Sequence, residues 1–212
     1  MKHGGITISK CVSGASSHNQ DRATVIPVAD SHLLVVSDGV GGMGGGAEAA
    51  DAVLCFLSER AAEFAAMEES HAWALALAET DRVVLEDQQA GEATAVVACV
   101  KGSSVTGASV GDSRGWLVSE QSVLDLTEAQ RRRPMLGSGA AIPTAFGPVS
   151  LVGHLVIGSD GLFNYTKRDE IVRILASTPL ENAAARLVEA ARLPTGELID
   201  DVVVIVCART AV

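Results

Sequence analysis

No segment restricts the fold more than His32 to Ala50, HLLVVSDGVGGMGGGAEAA. Leu33, Leu34, Val35 and Val36 form a short apolar run that reads as a buried strand, and it stops at Ser37 and Asp38 ahead of six closely spaced glycines. One carboxylate is thereby presented at the end of a rigid element. From Ala47 the chain turns alanine-rich, with Glu48 in what would be the first turn of a helix, where an acid complements exposed N–H groups. Glycines let the backbone approach a ligand closely, and a strand-end aspartate suits a hard cation. A plain flexible connection is the simpler reading of a glycine run taken alone.

Two nucleotide-binding patterns fail here. The phosphate-cradling GxxxxGK[ST] needs a lysine, and none lies between Cys11 and Val100. Gly39, Gly41 and Gly44 do spell GxGxxG between a strand and a helix, with Glu59 about twenty residues on. Asp38 would push its charge at a pyrophosphate, however, and Glu59 falls inside a helical stretch when it should end a second parallel strand.

With 212 residues the chain can bury a large core, and it reads as a single domain spanning 1–212. Its 48% hydrophobic content is mostly alanine, valine and leucine in short runs, none long enough to cross a bilayer, and Met1 to Cys11 lacks a signal pattern. These features predict a cytoplasmic protein. Cys11, Cys55, Cys99 and Cys207 are widely separated among apolar neighbours, so reduced, buried thiols are expected. The formal charge of −10 argues against nucleic acid or an anionic membrane as partner, and an anionic substrate would need a cation between itself and the protein.

Strands are expected at 5–12, 22–29 and 32–37, forming an antiparallel meander around the polar loop Ser13–Asp21. Helices are expected at 47–66 and 69–88, with a turn at 67–70. Further strands follow at 93–101, 104–110 and 114–118, the first two joined by a Gly102-Ser103 hairpin. Residues 131–149 read as irregular and 149–157 as one strand. Thr166 and Asp169 are expected to cap a helix ending near Ala176. Thr178, Pro179 and Glu181 give a second helix its cap, first-turn proline and capping-box acid, and 202–208 is the last strand. This order is α+β, most simply two packed sheets with helices outside.

Apolar strands end in or begin from acids at Asp38, Asp160 and Asp200-Asp201, and Asp112 sits in a turn between strands. Two of these acids stand in the form Ser-Asp-Gly. One strand-end carboxylate is an ordinary turn residue, but several gathered together repel unless cations neutralise them. Oxygen donors with few histidines favour Mg²⁺ or Mn²⁺ over zinc. Taken together, these acids read as a carboxylate-lined metal site.

In order along the chain stand Asn19-Gln20-Asp21, Asp38-Gly39-Val40-Gly41-Gly42, Gly91 with Ala93-Thr94-Ala95, Gly111-Asp112-Ser113-Arg114, Leu126-Thr127, Ser159-Asp160-Gly161-Leu162 and Asp200-Asp201. Together these motifs resemble the metal-dependent serine/threonine protein phosphatases of the 2C type, over nearly the whole chain. The resemblance implies a four-layer α-β-β-α sandwich of two antiparallel sheets flanked by helices. It also implies two Mn²⁺ or Mg²⁺ ions, with Asp38 bridging both, the Gly39 carbonyl completing one shell, and Asp160 and Asp200 holding the other ion. Asp200 is preferred to Asp201 as ligand. Gln20, Asp21 and Asp201 would support these groups, and Asp112 matches a position that helps bind a third, weaker ion. The implied reaction is attack of a metal-bridging water on a phosphoserine or phosphothreonine of a protein substrate, opposing a serine/threonine kinase, with no phosphoenzyme.

The chain departs from the family's pattern in places. Ser16 stands where the family carries an arginine that grips the substrate phosphate, and Lys10 is the nearest upstream cation. Val40 takes the place of a histidine found in some members. Glu128-Ala129-Gln130 replaces Asp-His-Ser, and the segment up to Val149 is short for the substrate-flanking flap. Arg131, Arg132 and Arg133 lie in it, read either as a solvated loop or as cations that make up for the missing arginine. Trp73 and Trp116 are expected in the core, and Arg114 in structural support of Asp112 or neighbouring backbone. Two alternatives stay open beside the active protein phosphatase: a regulatory module that keeps the fold and acids but not turnover, and a hydrolase of small phosphate esters.

Overall fold

A computed structural model describes residues 2–3, 5–40, 44–67, 71–119 and 121–210. In chain order the elements begin with β1 (Lys2–His3), β2 (Ile6–Ser13), β3 (Asp21–Val28), β4 (Ser31–Asp38), α1 (Gly46–Ala66) and α2 (Ala72–Glu86). Next come β5 (Ala95–Lys101), β6 (Ser104–Val110), β7 (Arg114–Val118), β8 (Val123–Asp125), β9 (Thr144–Ser150) and β10 (His154–Gly158). The chain then finishes with α3 (Asp160–Tyr165), α4 (Arg168–Ser177), α5 (Leu180–Ala190) and β11 (Val202–Arg209).

Side chains alternate across a strand, and here both faces of the central strands are covered, so their sequences run apolar without a break. In β4, Leu34 and Val36 face a core shared with Ile157, Val203 and Ile205 of the other sheet. Leu33 and Val35 face Val53, Leu57 and Phe64 of α1. In β11, Val204 and Val206 turn the opposite way and meet Ile171 and Leu187 of α4 and α5. Three apolar layers between four layers of elements give an α-β-β-α sandwich, as the element order implied. One sheet is ordered β1-β2-β11-β10-β7-β8 and the other β3-β4-β5-β6-β9, and every pairing is antiparallel. No helix among the described residues is long and apolar enough to cross a membrane.

Several local expectations are corrected. The first three strands form no meander: β2 pairs along its length with β11, while β3 and β4 belong to the other sheet. A partner nearly two hundred residues away leaves no local trace. The strand expected at 149–157 is two strands in different sheets, because the Leu151–Gly153 turn, with Gly153 at φ 75°, carries the chain across. β8 and the short α3 were not expected. Thr166 does not cap α4; it closes α3, its N–H donating to the Leu162 carbonyl, so Lys167 occupies the cap position without a side-chain bond. Pro179 rather than Thr178 occupies the α5 cap position. Of the cysteines, Cys99 and Cys207 are buried as expected, Cys11 is half-buried and Cys55 is exposed on α1. Residues 68–70 of the expected turn after α1, and Gly41 and Gly42 of the glycine motif, lie outside the described residues.

Candidate metal centre

Antiparallel pairing brings the acid-bearing ends together. Asp21 opens β3 directly across from Asp38, which closes β4. Gly158 at the end of β10 lies opposite both Val204 of β11 and Arg114 of β7, so Asp160, Asp200 and Asp112 emerge at the same end of the sandwich. Asp38, Asp112, Asp160, Asp200 and Asp201 line one basin of about 350 Å³, together with Gln20, Gly39, Arg132 and Arg133.

The two Ser-Asp-Gly motifs are built alike. In the first, the buried Ser37 hydroxyl donates to the Thr94 carbonyl (2.8 Å), tying β4 to the start of β5. Asp38 follows at the basin, its N–H donating to Thr94 Oγ1 (3.2 Å). Gly39 then allows close approach: a Cβ there would run into the backbone of Gly46, the first residue of α1. In the second, Ser159 Oγ donates to Asp21 Oδ2 (2.6 Å) and accepts from the Val203 N–H (3.1 Å). Asp160 is again at the basin, and a Cβ on Gly161 would collide with the Asp201 carbonyl. In each motif the serine fastens a neighbouring strand, the aspartate faces the basin and the glycine admits a helix start or the opposing backbone.

The remaining acids divide by role. Asp201 accepts from the N–H groups of Ala15 (2.8 Å) and Gln20 (2.7 Å), so its carboxylate closes the 13–20 loop. Asp200 accepts only a local bond from the Asp201 N–H (2.9 Å) among the described contacts and is exposed. Asn164 donates to Asp160 Oδ2 (2.9 Å) one turn along α3. Asp112 pairs with Arg132, Nε to Oδ2 2.7 Å.

Buried acids without a cation resist ionisation. Burial, then the charges of Asp21 and Asp160, push the Asp38 carboxyl up to about 9. Burial likewise raises Asp21 to about 7, with Asp201 and Asp200 adding to it and the Ser159 hydrogen bond opposing it. Desolvation first, then the charges of Asp112 and Asp200, raise the half-buried Asp160. Asp200, an exposed residue whose carboxyl is still partly desolvated at the basin, is raised by that desolvation, lowered by the Asp201 N–H bond and raised again by the charges of Asp201 and Asp112. Among the described residues no N–H or hydroxyl donor reaches Asp21 Oδ1, and Asp21 stands directly across from Asp38 in the strand register. The donors are all hard oxygens, the chemistry of Mg²⁺ or Mn²⁺. As they stand, no three histidine, cysteine or carboxylate side chains among the described residues converge on a single point; the acids ring the basin.

The three arginines separate. Arg132 and Arg133 border the basin, Arg133 paired with Glu92 (3.3 Å), whereas Arg131 is not among its lining residues. Ser16 spends its hydroxyl on the His18 N–H (3.1 Å), and Lys10 donates to the Ala23 carbonyl (3.1 Å), so neither of these side chains faces the basin. Among the described contacts Arg114 makes no ion pair with Asp112; its guanidinium lies over the Phe163 ring (6.0 Å). One contributor escaped sequence reasoning altogether. The buried Asp81 of α2 accepts from the N–H groups of Gly137, Gly139 and Ala141 (2.7, 3.1 and 3.1 Å), fixing the segment that follows the arginines. Its signal, an acid on the apolar face of a helix, was present beside Leu77 and Val84.

No protein-family model matches the sequence, and no curated protein matches it. Solved structures do. A bacterial serine phosphatase superposes with a TM-score of 0.81 at 22% identity, covering 98% of both chains. Serine/threonine phosphatase Stp1 from Staphylococcus aureus gives 0.77 at 22%, covering 96% of this chain and 94% of that one. The Mycobacterium tuberculosis serine/threonine phosphatase PstP/Ppp gives 0.79 at 19%, covering 97% and 99%. The chain therefore has the fold of the bacterial PPM-type serine/threonine phosphatases over nearly its whole length.

Proposed function

We propose that this chain is a metal-dependent phosphatase for phosphoserine and phosphothreonine in proteins, opposing a serine/threonine kinase. One observation carries the reading: Asp38, Asp160 and Asp200, from ends of both sheets, ring one basin in a fold shared with serine/threonine phosphatases. Asp38, Asp160, Asp200 and the Gly39 carbonyl would hold two Mn²⁺ or Mg²⁺ ions. The chemistry such ions would supply there is a water of lowered pKa, oriented for in-line attack on phosphorus. Asp21 keeps Asp38 in place from the opposing strand, with Ser159 holding Asp21, and Asp201 keeps Gln20 and its loop against the basin. Arg133, and Arg132 when freed from Asp112, supply the positive charge that the Ser16 loop lacks for a phosphate monoester.

The absence of a basin-facing cation from Ser16 favours a second reading, a regulatory module without turnover. Phosphate release from a phosphothreonine peptide and from an aryl phosphate, each with Mn²⁺ and with EDTA, decides. Release from the peptide alone, lost in EDTA, supports the protein phosphatase. Release from the aryl ester alone turns the assignment to small esters, and none from either, with Mn²⁺ bound, turns it to the regulatory module.

A further inference from the structure

The basin adjoins a second depression of about 350 Å³, and the two meet along Asp112, Arg132 and Asp160. Arg132 reaches this seam because the backbone delivers it. The Gly111 N–H donates to the Arg131 carbonyl (3.2 Å), and Gln130 Nε2 donates to the Ser113 carbonyl (2.7 Å). The Ser113 and Thr94 hydroxyls share a buried bond of 2.6 Å. Residues 130–132 are thus stitched to the turn that carries Asp112, and Arg132 Nε sits 2.7 Å from Asp112 Oδ2 with Asp160 close enough to feel its charge.

A third divalent ion at Asp112, the position to which the resemblance assigns one, would meet a carboxylate whose Oδ2 is already paired with a guanidinium. We propose that Arg132 is the resident cation of the Asp112–Asp160 seam, which a further divalent ion has to displace. The inference rests on the metal-centre reading above. Arg132 is 76% exposed, so its pairing is a surface-strength one that lowers the ion's affinity by a few-fold without barring it.

Equilibrium dialysis of Mn²⁺ against the parent chain, Arg132→Ala, Arg132→Gln, Asp112→Asn and the Arg132→Ala/Asp112→Asn pair reads this directly. Removing the guanidinium by either substitution should tighten the weakest Mn²⁺ site by roughly three- to five-fold. In the Asp112→Asn background the same removal should change little. An unchanged or weaker site in both arginine variants, or equal tightening with and without Asp112, overturns the proposal. The readout is ion binding, so a chain that binds Mn²⁺ without releasing phosphate refutes only the phosphatase reading. A parent chain that binds no Mn²⁺ overturns both.

Discussion

Asp38→Asn should make the metal-free protein more stable while removing its response to metal. The folded state raises the Asp38 carboxyl from 3.8 to about 9, through burial and the facing acids. A raised acid pKa costs stability only where the unfolded chain has lost a proton that the fold prefers to keep. The cost is therefore absent below pH 3.8 and grows until the pH passes the folded value. One pKa unit corresponds to about 1.4 kcal/mol, so at pH 7 the 3.2 units between 3.8 and 7 set a ceiling of about 4 kcal/mol. Sharing of one proton with Asp21 and hydration of the open basin bring the expected gain to about 2 kcal/mol, or roughly 4–8 °C in Tm for a chain of this size. At pH 4.5 the same arithmetic leaves at most about 1 kcal/mol. Thermal melts in EDTA at pH 4.5, 6 and 7.5 measure the trend. With saturating Mn²⁺ the order should reverse, because only the parent gains by binding. A variant that melts no higher than the parent in EDTA at pH 7.5 refutes the claim that burying Asp38 among facing acids costs the fold stability.

Two further substitutions test the framework around the acids. Gly39→Ala forces a methyl group into the Gly46 backbone, so a loss of about 1–3 kcal/mol together with weakened Mn²⁺ binding is expected by denaturant titration and calorimetry; a variant as stable as the parent contradicts the close approach. Asp81→Asn replaces one acceptor oxygen with a donor facing the Ala141 N–H, which should cost about 1–3 kcal/mol and speed hydrogen exchange at residues 137–141, and unchanged exchange there removes Asp81 as the anchor.

How far these features could be read in advance depended on how local their cause is. The unbroken apolar runs of β4 and β11 announced strands covered on both faces, and the acids at their ends announced the candidate site whose basin they line, because each signal lies within eight residues. Pairing of β2 with β11 rests on contacts between opposite ends of the chain and left no pattern to read. The Ser-Asp-Gly repeats were visible as repeats, but the division of labour within them, with Ser37 and Ser159 fastening strands, needed the neighbouring Thr94 and Val203 in place. Cap residues misled because Thr166 was already engaged in ending α3, a helix too short to show a period. Arg132 on Asp112 was legible only as one of three consecutive arginines; the Gly111 and Gln130 bonds that select it are tertiary.

The most direct test of the central claim is Mn²⁺-dependent phosphate release from a phosphothreonine peptide, with Asp160→Asn assayed beside the parent. Asp160 is half-buried at the basin and takes no part in fastening strands, so the variant should fold normally. Release by the parent, its loss in EDTA, and a fall of at least about a hundred-fold in Asp160→Asn are expected, the last on the scale seen when one preorganised group at a catalytic centre is removed. Full activity in Asp160→Asn, or in the parent stripped of metal, would contradict the central claim.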